Sequence, residues 1–289
     1  MPPVPTLATL LDLYASSYLT KHAPSTQDQQ RRLFRRFARD LGPIPLPCLT
    51  PLVLRSYSAH LRRTLKPGSV RHYLDVLSAV LTVAVEDLGW LATHPLRHVP
   101  KPPLAPGRVR CLTPEERTRL LRECRASHNP WLHLLVLLAL STGCRRGELF
   151  GLRWQDVDLE RGLLRLAATK NRDRRAVPVP LLALTPLRAW GAGHPATAYV
   201  FPSPGRRRAF PGEQSWRQAL KRAQVADFHF HDLRHTFASY MAMSGASLLV
   251  IGELLGHRSP AMTRRYSHLT LPYLAGTVET MAQAFLRDG

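Results

Sequence analysis

The segment HFHDLRHTFASYM, residues 229–241, combines three histidines and an arginine with a helical apolar pattern. The spacing of His231, Arg234 and His235 predicts that their side chains share one helix face. The histidine pair resembles a helical zinc site, but the H-E-x-x-H pattern is not met and Arg234 would bring a positive charge to the ligand face. A helix N-terminus attracts anions, so a phosphate site is the better prediction, and histidines satisfied by backbone and solvent are the alternative. His229 is expected to be incidental.

The composition favours a polyanionic partner. The 289 residues include 40 basic and 20 acidic side chains, giving a formal charge of +20, and 45% of the residues are apolar. So strong a positive field raises the local concentration and association rate of nucleic acid. Only five of the basic residues are lysine, and a GC-rich genome would explain the arginine bias equally well. Either residue neutralises phosphate, so the prediction of a nucleic-acid partner stands.

Structural zinc and membrane insertion are both disfavoured. The four cysteines show no C-x-x-C spacing, which suits a reducing compartment. The N-terminus lacks an apolar signal region, and the apolar run WLHLLVLLAL at 131–140 is half of the about 20 residues that span a bilayer. We therefore expect a cytoplasmic protein with no membrane partner and no metal.

The clearest domain boundary is the proline-rich segment HPLRHVPKPPLAPGRVR at 94–110, which is typical of a stiff, basic linker. Before it, apolar residues at helical spacing predict four helices, with Ser25 capping the second and Thr50-Pro51 opening the third. The arginines on the outer face of the second helix favour DNA contact over simple solvation. The sequence thus predicts a helical DNA-binding domain at 1–99, a linker at 100–110 and a second domain at 111–289.

The second domain is predicted to be mainly helical with one small sheet. Thr113 and Glu116 have the spacing of a capping box, and a buried helix follows at 131–140. The segment LLRLAATKNRDRRAVPVP at 163–180 breaks the helical period, and two strand-like runs flank the polar NRDRR, which predicts a hairpin. Helical patterns resume from Ser215. The expected fold class is therefore mainly α with a small antiparallel sheet.

A second basic motif, LSTGCRRGELFGLRWQDVD at 140–158, closes the most apolar helix. Arg145 and Glu148 are three residues apart and would share one face if a helix begins there. An arginine at the end of a buried helix needs a partner. The two residues either form a simple ion pair or hold the guanidinium ready for a phosphate, and this motif alone leaves both interpretations open.

A third motif, IGELLGHRSPAMTRRYSHL at 251–269, contains a candidate nucleophile. Gly256 is expected to end one helix, Ser259-Pro260 to begin the next, and Tyr266 to lie there beside two arginines. Most tyrosines are packing residues, and that is the simpler interpretation of Tyr266. The basic surroundings are nevertheless expected to lower the cost of forming a phenolate.

Taken together, the motifs resemble the tyrosine recombinases, the phage integrase family. They are TGCRRGEL at 142–149, HDLRH at 231–235, LLGH at 254–257 and YSH at 266–268, in the order and approximate spacing of that family. The segment SVRHYLDVLSAVLTVAVEDLGWLATHP also resembles the last helix of the family's core-binding domain, with His94-Pro95 where Asn-Pro is usual. The resemblance covers nearly the whole chain.

The resemblance implies a site-specific recombinase with an N-terminal four-helix core-binding domain. Tyr266 would attack a DNA phosphate to give a 3′-phosphotyrosyl intermediate, and Arg145 and Arg234 would clamp that phosphate. Lys170 at the hairpin tip would protonate the leaving 5′-oxygen, unless it is only a solvated lysine. Assisting residues would be His231 and His257, supporting residues Glu148 and His235, and DNA-contacting residues Arg71, Arg174 and Arg264. Neither a cofactor nor a metal is required.

The implied partners are a double-stranded DNA recombination site and either further copies of the chain, as a tetramer on two duplexes, or a paralogous recombinase. Leu274, Val278, Met281 and Phe285 form an apolar stripe, which would pack on its own domain or, as in the family, dock on the neighbouring protomer. A type IB topoisomerase and a non-catalytic DNA-binding protein of the same fold are the alternative functions. The extra arm-binding domain of lambda-type integrases is expected to be absent, and integration, excision and dimer resolution are not distinguished.

Overall fold

The computed structural model of the protein describes residues 3–104, 108–166, 175–201 and 212–286. The chain divides into two compact units, Met1–Gly107 and Arg108–Gly289, each with its own apolar core. Lys170 and Arg174, with the rest of the expected hairpin tip, lie outside the described residues. In the ranges that are described, no helix is long and apolar enough to cross a membrane.

The first unit is helical throughout its regular structure. Its helices are α1 (Leu7–Ser17), α2 (Pro24–Leu41), α3 (Pro51–Arg62) and α4 (Pro67–Glu86), and their core contains the fully buried Leu10, Phe37, Leu54 and Leu77. Thr50 caps α3 as predicted, because its hydroxyl accepts from the backbone N–H of Val53. The prediction that Ser25 caps α2 is wrong, since α2 begins at Pro24 with Ala23 as its N-cap. Proline has the backbone angle that the first helical position requires, so the helix starts earlier in the chain than predicted.

The outer face of α2 is basic, as expected, and one acidic residue anchors part of it. Arg31, Arg32, Arg35 and Arg39 are exposed. The Asp40 carboxylate accepts from Nε of Arg36 at 3.3 Å and from Nε of Arg39 at 2.8 Å. Burial alone would raise the pKa of Asp40, but the hydrogen bonds from these arginines lower it by more. The carboxylate therefore stays ionised.

The second unit is mainly helical with a small antiparallel sheet, as predicted. Its helices are α5 (Pro114–Arg125), α6 (Leu132–Thr142), α7 (Arg146–Gly151), α8 (Leu181–Gly191), α9 (Glu213–Arg222), α10 (Asp232–Met243), α11 (Leu248–Leu255) and α12 (Leu271–Phe285). Short 3-10 turns at Pro260–Met262 and Arg264–Thr270 connect α11 to α12. The capping box of Thr113 and Glu116 is present at the start of α5. Helix α8, which contains Pro186, was not anticipated from the sequence.

Helix α6 is the buried centre of this unit and leads directly into the first basic motif. Leu135, Val136 and Leu138 are completely buried, and the helix ends at Gly143 with a backbone φ of 62°. A β-carbon at Gly143 would approach the ring of Phe237 in α10 to 2.4 Å. Only glycine combines this left-handed turn with such close packing, and the turn brings Arg145 to the start of α7.

The sheet has the strand order β1-β2-β3, with β1 (Val157–Asp158), β2 (Leu163–Leu166) and β3 (Arg175–Pro178). Strands β2 and β3 are antiparallel, with Leu166 paired to Arg175 and Leu163 to Pro178, which confirms both arms of the predicted hairpin. Strand β1 was not predicted, because two residues are too few to show a period. The sheet places Arg175 at the first position of β3.

Candidate active site

Arg145 lies at the N-cap of α7 and is held from two sides. Its Nη1 donates to Oε1 of Glu148 at 2.8 Å and its backbone N–H donates to Oε2 of the same residue at 2.7 Å. Its Nη2 donates to the carbonyl of Gly256 at 3.3 Å. The side chain is 26% exposed, so the guanidinium is fixed by the protein and still open to solvent.

The Glu148 carboxylate joins two arginines. Besides Arg145 it accepts from Nη1 of Arg175 at 3.1 Å and from Nη2 of Arg175 at 2.8 Å. Burial would raise the pKa of Glu148, but hydrogen bonds from Arg175 and Arg145 lower it overall. The carboxylate is therefore an ion that pairs with two cations, and the simple Arg145–Glu148 pair is only part of the arrangement.

Sequence reasoning missed Arg175, although the pattern contained a signal for it. Arg175, Val177 and Val179 alternate along β3 and the residue after it, and both valines are buried. Because alternate residues of a strand point to the same side, this spacing turns Arg175 toward the apolar side. An arginine directed inward needs a buried acidic partner, and Glu148 supplies it.

Arg234 is the most buried of the predicted cations, with 4% of its surface exposed. Its Nη1 donates to the carbonyl of Gly143 at 2.7 Å and its Nη2 donates to the carbonyl of Leu255 at 2.5 Å. Burial, and then the positive charge of Arg145, lower the pKa of Arg234 to about 10. The guanidinium stays charged at neutral pH, but it is a cation whose partners are neutral carbonyls.

The two histidines of α10 have different environments. His231 is the N-cap and is exposed, whereas His235 is buried, and their rings are 5.1 Å apart between centroids. Desolvation and the charge of Arg234 lower the pKa of His231. Desolvation, and then His231, lower the pKa of His235 to about 4. Both imidazoles are therefore neutral near pH 7, and the phosphate interpretation of this motif rests on Arg234.

Tyr266 lies on the 3-10 turn Arg264–Thr270 and is almost completely buried, at 1% exposure. Its hydroxyl is 2.5 Å from Nδ1 of His235, so the two groups share a hydrogen bond. The basic surroundings lower the pKa of Tyr266, as expected, but they do not decide its net shift. Burial raises the pKa of Tyr266 more than the charges of Arg265 and Arg234 lower it.

His257 follows the αL residue Gly256 at the end of α11, where the sequence placed a helix stop. Its Nδ1 lies 2.8 Å from the hydroxyl of Thr263, a residue with 1% exposure that sequence analysis did not single out. This contact ties the turn that carries Tyr266 to the end of α11. The ring is half-buried, so it is both oriented and accessible.

Arg264 and His229 of the second unit lie on the surface, outside this cluster. Lys170 and Arg174 lie outside the described residues. Arg71 is half-buried on α4 of the first unit, and Arg264 is exposed two residues before Tyr266. His229 is exposed, and its backbone N–H donates to Asp232 at 2.7 Å. Within the described part of the chain, no group of three or more His, Cys, Asp or Glu side chains is arranged to hold a metal ion.

Two adjacent backbone carbonyls bring the main cations together. The Leu255 carbonyl accepts from Arg234, and the Gly256 carbonyl accepts from Arg145. The guanidinium groups of Arg145, Arg175 and Arg234 oppose the single carboxylate of Glu148, which leaves this cluster with net positive charge. The cluster can therefore bind an oxyanion with one or two negative charges beside the buried phenol of Tyr266.

Comparisons to known proteins agree with the family that the motifs resemble. A profile of the phage integrase family matches residues 110–271, and the chain belongs to this family. It is 36% identical over 211 residues to the shufflon-specific DNA recombinase of Escherichia coli, covering 72% of this chain and 53% of that protein. It is 34% identical over 228 residues to the tyrosine recombinase XerC of Xanthomonas campestris pv. campestris strain B100, covering 75% of this chain and 69% of that protein.

A solved structure shares the fold. The structure of a lambda integrase tetramer bound to a Holliday junction superposes with a TM-score of 0.73 at 22% identity, covering 92% of this chain and 78% of that one. At this identity the likeness concerns the fold. The chain spans about half the length of the shufflon recombinase that it matches.

Proposed function

We propose that the protein is a site-specific DNA recombinase in which Tyr266 is the nucleophile and Arg145 and Arg234 bind the scissile phosphate. The carrying observation is that the successive carbonyls of Leu255 and Gly256 hold the two guanidinium groups side by side. Two neighbouring cations repel each other, and the pKa of Arg234 is lowered partly by Arg145. A phosphate between them relieves that repulsion, and its charge grows in the transition state.

The proposed reaction is a transesterification at phosphorus. The Tyr266 oxygen forms a bond to phosphorus and passes its proton to His231 or His257, while the bond from phosphorus to the 5′-oxygen breaks. The product is a 3′-phosphotyrosyl link and a 5′-hydroxyl, which takes a proton from Lys170. His231 and His257 assist as hydrogen-bond donors or proton carriers, and Glu148 and His235 support the arginine and the tyrosine. The reverse reaction joins a new strand, so neither a nucleotide nor a metal supplies energy.

The proposed partner is double-stranded DNA, with the first unit as a core-binding domain. This is supported by the exposed arginines of α2 and by the formal charge of +20. Arg71, Arg174 and Arg264 are proposed DNA contacts. The first unit spans the predicted domain 1–99, and the proposed catalytic domain is 111–289.

The proposed assembly is a tetramer of this chain on two DNA duplexes, or a mixed assembly with a paralogous recombinase. It is supported by the exposed apolar side chains along α12, namely Leu271, Leu274, Val278, Met281 and Phe285. A helix of this length is marginal without a packing partner, and a contiguous apolar surface marks an interaction site.

Trapping of a covalent adduct tests the proposed function. Duplexes selected by binding from a random-sequence library are nicked near the bound centre, so that the fragment with the 5′-hydroxyl diffuses away after cleavage. Wild-type protein is expected to give an adduct that survives denaturant, and Tyr266→Phe is expected to give none. Tyr273→Phe is the matched control, because this tyrosine lies nearby with 51% exposure. No adduct with the wild type, or an adduct with Tyr266→Phe, contradicts the proposal.

A further inference from the structure

Arg175 joins the phosphate-binding cluster without a role in the proposed strand transfer. It begins β3, and its side chain reaches Glu148 in α7, a residue distant in sequence. Both of its Nη atoms donate to the Glu148 carboxylate, in a bidentate pair at 3.1 and 2.8 Å. This geometry is specific to arginine, because a lysine ammonium is a point charge that cannot form the same fork.

Arg175 and Arg145 share the same two carboxylate oxygens. Oε1 of Glu148 accepts from Nη1 of both arginines, and Oε2 accepts from Nη2 of Arg175 and from the backbone N–H of Arg145. One Glu148 oxygen bonds the side chain of Arg145 and the other bonds its backbone N–H. The plane of the carboxylate therefore fixes the direction of the Arg145 guanidinium. Arg175 in turn fixes that plane.

A second contact closes the cluster on its other side. Gly256 has a backbone φ of 62°, and a β-carbon built there would lie 2.5 Å from Nη1 of Arg175. The Arg175 guanidinium therefore packs directly on the Gly256 backbone, and the Gly256 carbonyl accepts from Arg145 at 3.3 Å. Arg175 thus borders both groups that hold Arg145.

We propose that Arg175 is a positioning residue that orients Arg145 through Glu148 for the scissile phosphate. The inference rests on the proposed function. Both Nη atoms of Arg175 donate to the Glu148 carboxylate and its Nε is buried with no partner among the described residues, so the fork of this guanidinium is directed at Glu148. It also offsets the charge of Glu148, so that Arg145 beside this carboxylate still attracts an anion.

The substitution Arg175→Lys tests the inference, because it keeps the charge and removes the fork. The matched control is Arg165→Lys in the neighbouring strand β2, where the arginine is 59% exposed and pairs with Asp158 at 2.7 Å. Single-turnover cleavage of the nicked duplex is expected to slow about 10- to 100-fold in Arg175→Lys, as when a residue behind a ligand is replaced. Arg165→Lys is expected to cleave at the wild-type rate. A wild-type rate in Arg175→Lys overturns the inference.

The combination with Glu148→Gln separates an indirect role from direct phosphate contact. If Arg175 acts through Glu148, the double variant Glu148→Gln/Arg175→Lys loses no more activity than the worse single variant. Losses that multiply contradict the inference. Cleavage rates are compared only among variants that circular dichroism shows to be folded. If Arg175→Lys is unfolded, Arg175→Gln is used in its place.

A readout without cleavage distinguishes failure of this inference from failure of the proposed function. In spectra of protein labelled with ¹⁵N-arginine, the Nε–Hε signal of Arg145 is assigned from its loss in Arg145→Lys. We expect this signal to shift or broaden in Arg175→Lys and to stay unchanged in Arg165→Lys. An unchanged Arg145 signal in Arg175→Lys overturns the positioning role whether or not the wild type cleaves DNA.

Discussion

The hydroxyl of Tyr266 shares a hydrogen bond of 2.5 Å with Nδ1 of His235, and both side chains are buried. Burial raises the pKa of Tyr266 and lowers the pKa of His235 to about 4, so proton transfer between them is unfavourable in this state. His235 thus holds the tyrosine as a neutral phenol. For the proposed attack on DNA, Tyr266 has to leave this contact or pass its proton to a stronger base.

Protection from nitration is the first prediction. Without DNA, tetranitromethane is expected to modify Tyr266 much more slowly than Tyr199 or Tyr273, because their exposures are 1%, 38% and 51%. Mass spectrometry of peptides after a time course measures the three rates. Modification of Tyr266 at the rate of Tyr273 would show that the buried contact does not persist in solution.

The second prediction concerns pH and stability. His235 titrates at about 4 in the folded protein and at 6.5 in the reference state, so the unfolded chain binds this proton first as the pH falls. Stability from this group is fully present above pH 6.5 and is lost toward pH 4. The shift corresponds to about 3 kcal/mol, and urea unfolding at pH 7.5, 6 and 4.5 measures it.

The matched variant for this measurement is His235→Asn. Its amide can accept from or donate to the Tyr266 hydroxyl in place of Nδ1, but the side chain does not titrate. The loss of stability between pH 7.5 and 4.5 is expected to be smaller in His235→Asn than in the wild type. Equal slopes in the two proteins would assign the pH dependence to other groups.

The third prediction separates the buried arginine from a surface arginine. Arg234 donates to the carbonyls of Gly143 and Leu255 in a fork that lysine cannot reproduce. Arg234→Lys is expected to leave one buried carbonyl unsatisfied and to lower the free energy of unfolding by about 1–3 kcal/mol. Arg165→Lys, at an exposed pair, is expected to cost less than about 1 kcal/mol. Equal losses of unfolding free energy in the two variants, measured by urea unfolding, would contradict a stabilising role for the Arg234 fork.

Much of the fold follows from local patterns. Thr50-Pro51 at a helix start, the capping box at Thr113 and the helix end at Gly256 all agree with the structure. Each of these helix starts and ends is set by residues adjacent in the chain, so it can be predicted from the sequence alone. The start of α2 was misplaced because Pro24 and Ser25 are both suitable near a helix start, and in the structure Pro24 takes the first helical position.

Sequence singled out residues of the candidate site but not their contacts. Arg145, His231, Arg234, His257 and Tyr266 are marked by motif and spacing. The contact of Tyr266 with His235 and the Arg175–Glu148 pair join segments far apart in the chain. The pKa of Tyr266 illustrates the difference, because neighbouring arginines in sequence suggest a lower value and burial raises it. Desolvation depends on packing, which spacing does not contain.

The fourth prediction uses two glycines with similar backbone angles. Gly256 has a φ of 62° and Gly193 a φ of 80°, but only a β-carbon at Gly256 meets another residue within 4 Å, namely Arg175. Both alanine variants are expected to lose about 1–2 kcal/mol of stability from the left-handed backbone. Gly256→Ala should in addition displace Arg175 and slow single-turnover cleavage, whereas Gly193→Ala should not. Equal cleavage rates would show that the Gly256 contact is unimportant.

The last prediction concerns α12, where Val278 and Met281 are 60% and 45% exposed. If a second copy of the chain covers this surface in the synaptic complex, Val278→Ser/Met281→Ser should leave folding and cleavage of an isolated site unchanged, because neither side chain is in the core. Each truncated side chain would lose about 1–2 kcal/mol of burial in the assembly, so pairing of two duplexes should weaken tenfold or more. Native gels of protein with two duplexes measure it.

The opposite face of α12 provides the control for this assembly test. Gln283 is exposed, and its amide donates to Glu279 at 2.9 Å, so Gln283→Ser changes the helix without touching the apolar stripe. Gln283→Ser should assemble as the wild type does, and removal of residues 270–289 should abolish synapsis and strand exchange. Normal assembly of Val278→Ser/Met281→Ser or of the truncated chain would exclude docking of this stripe on a second copy of the chain.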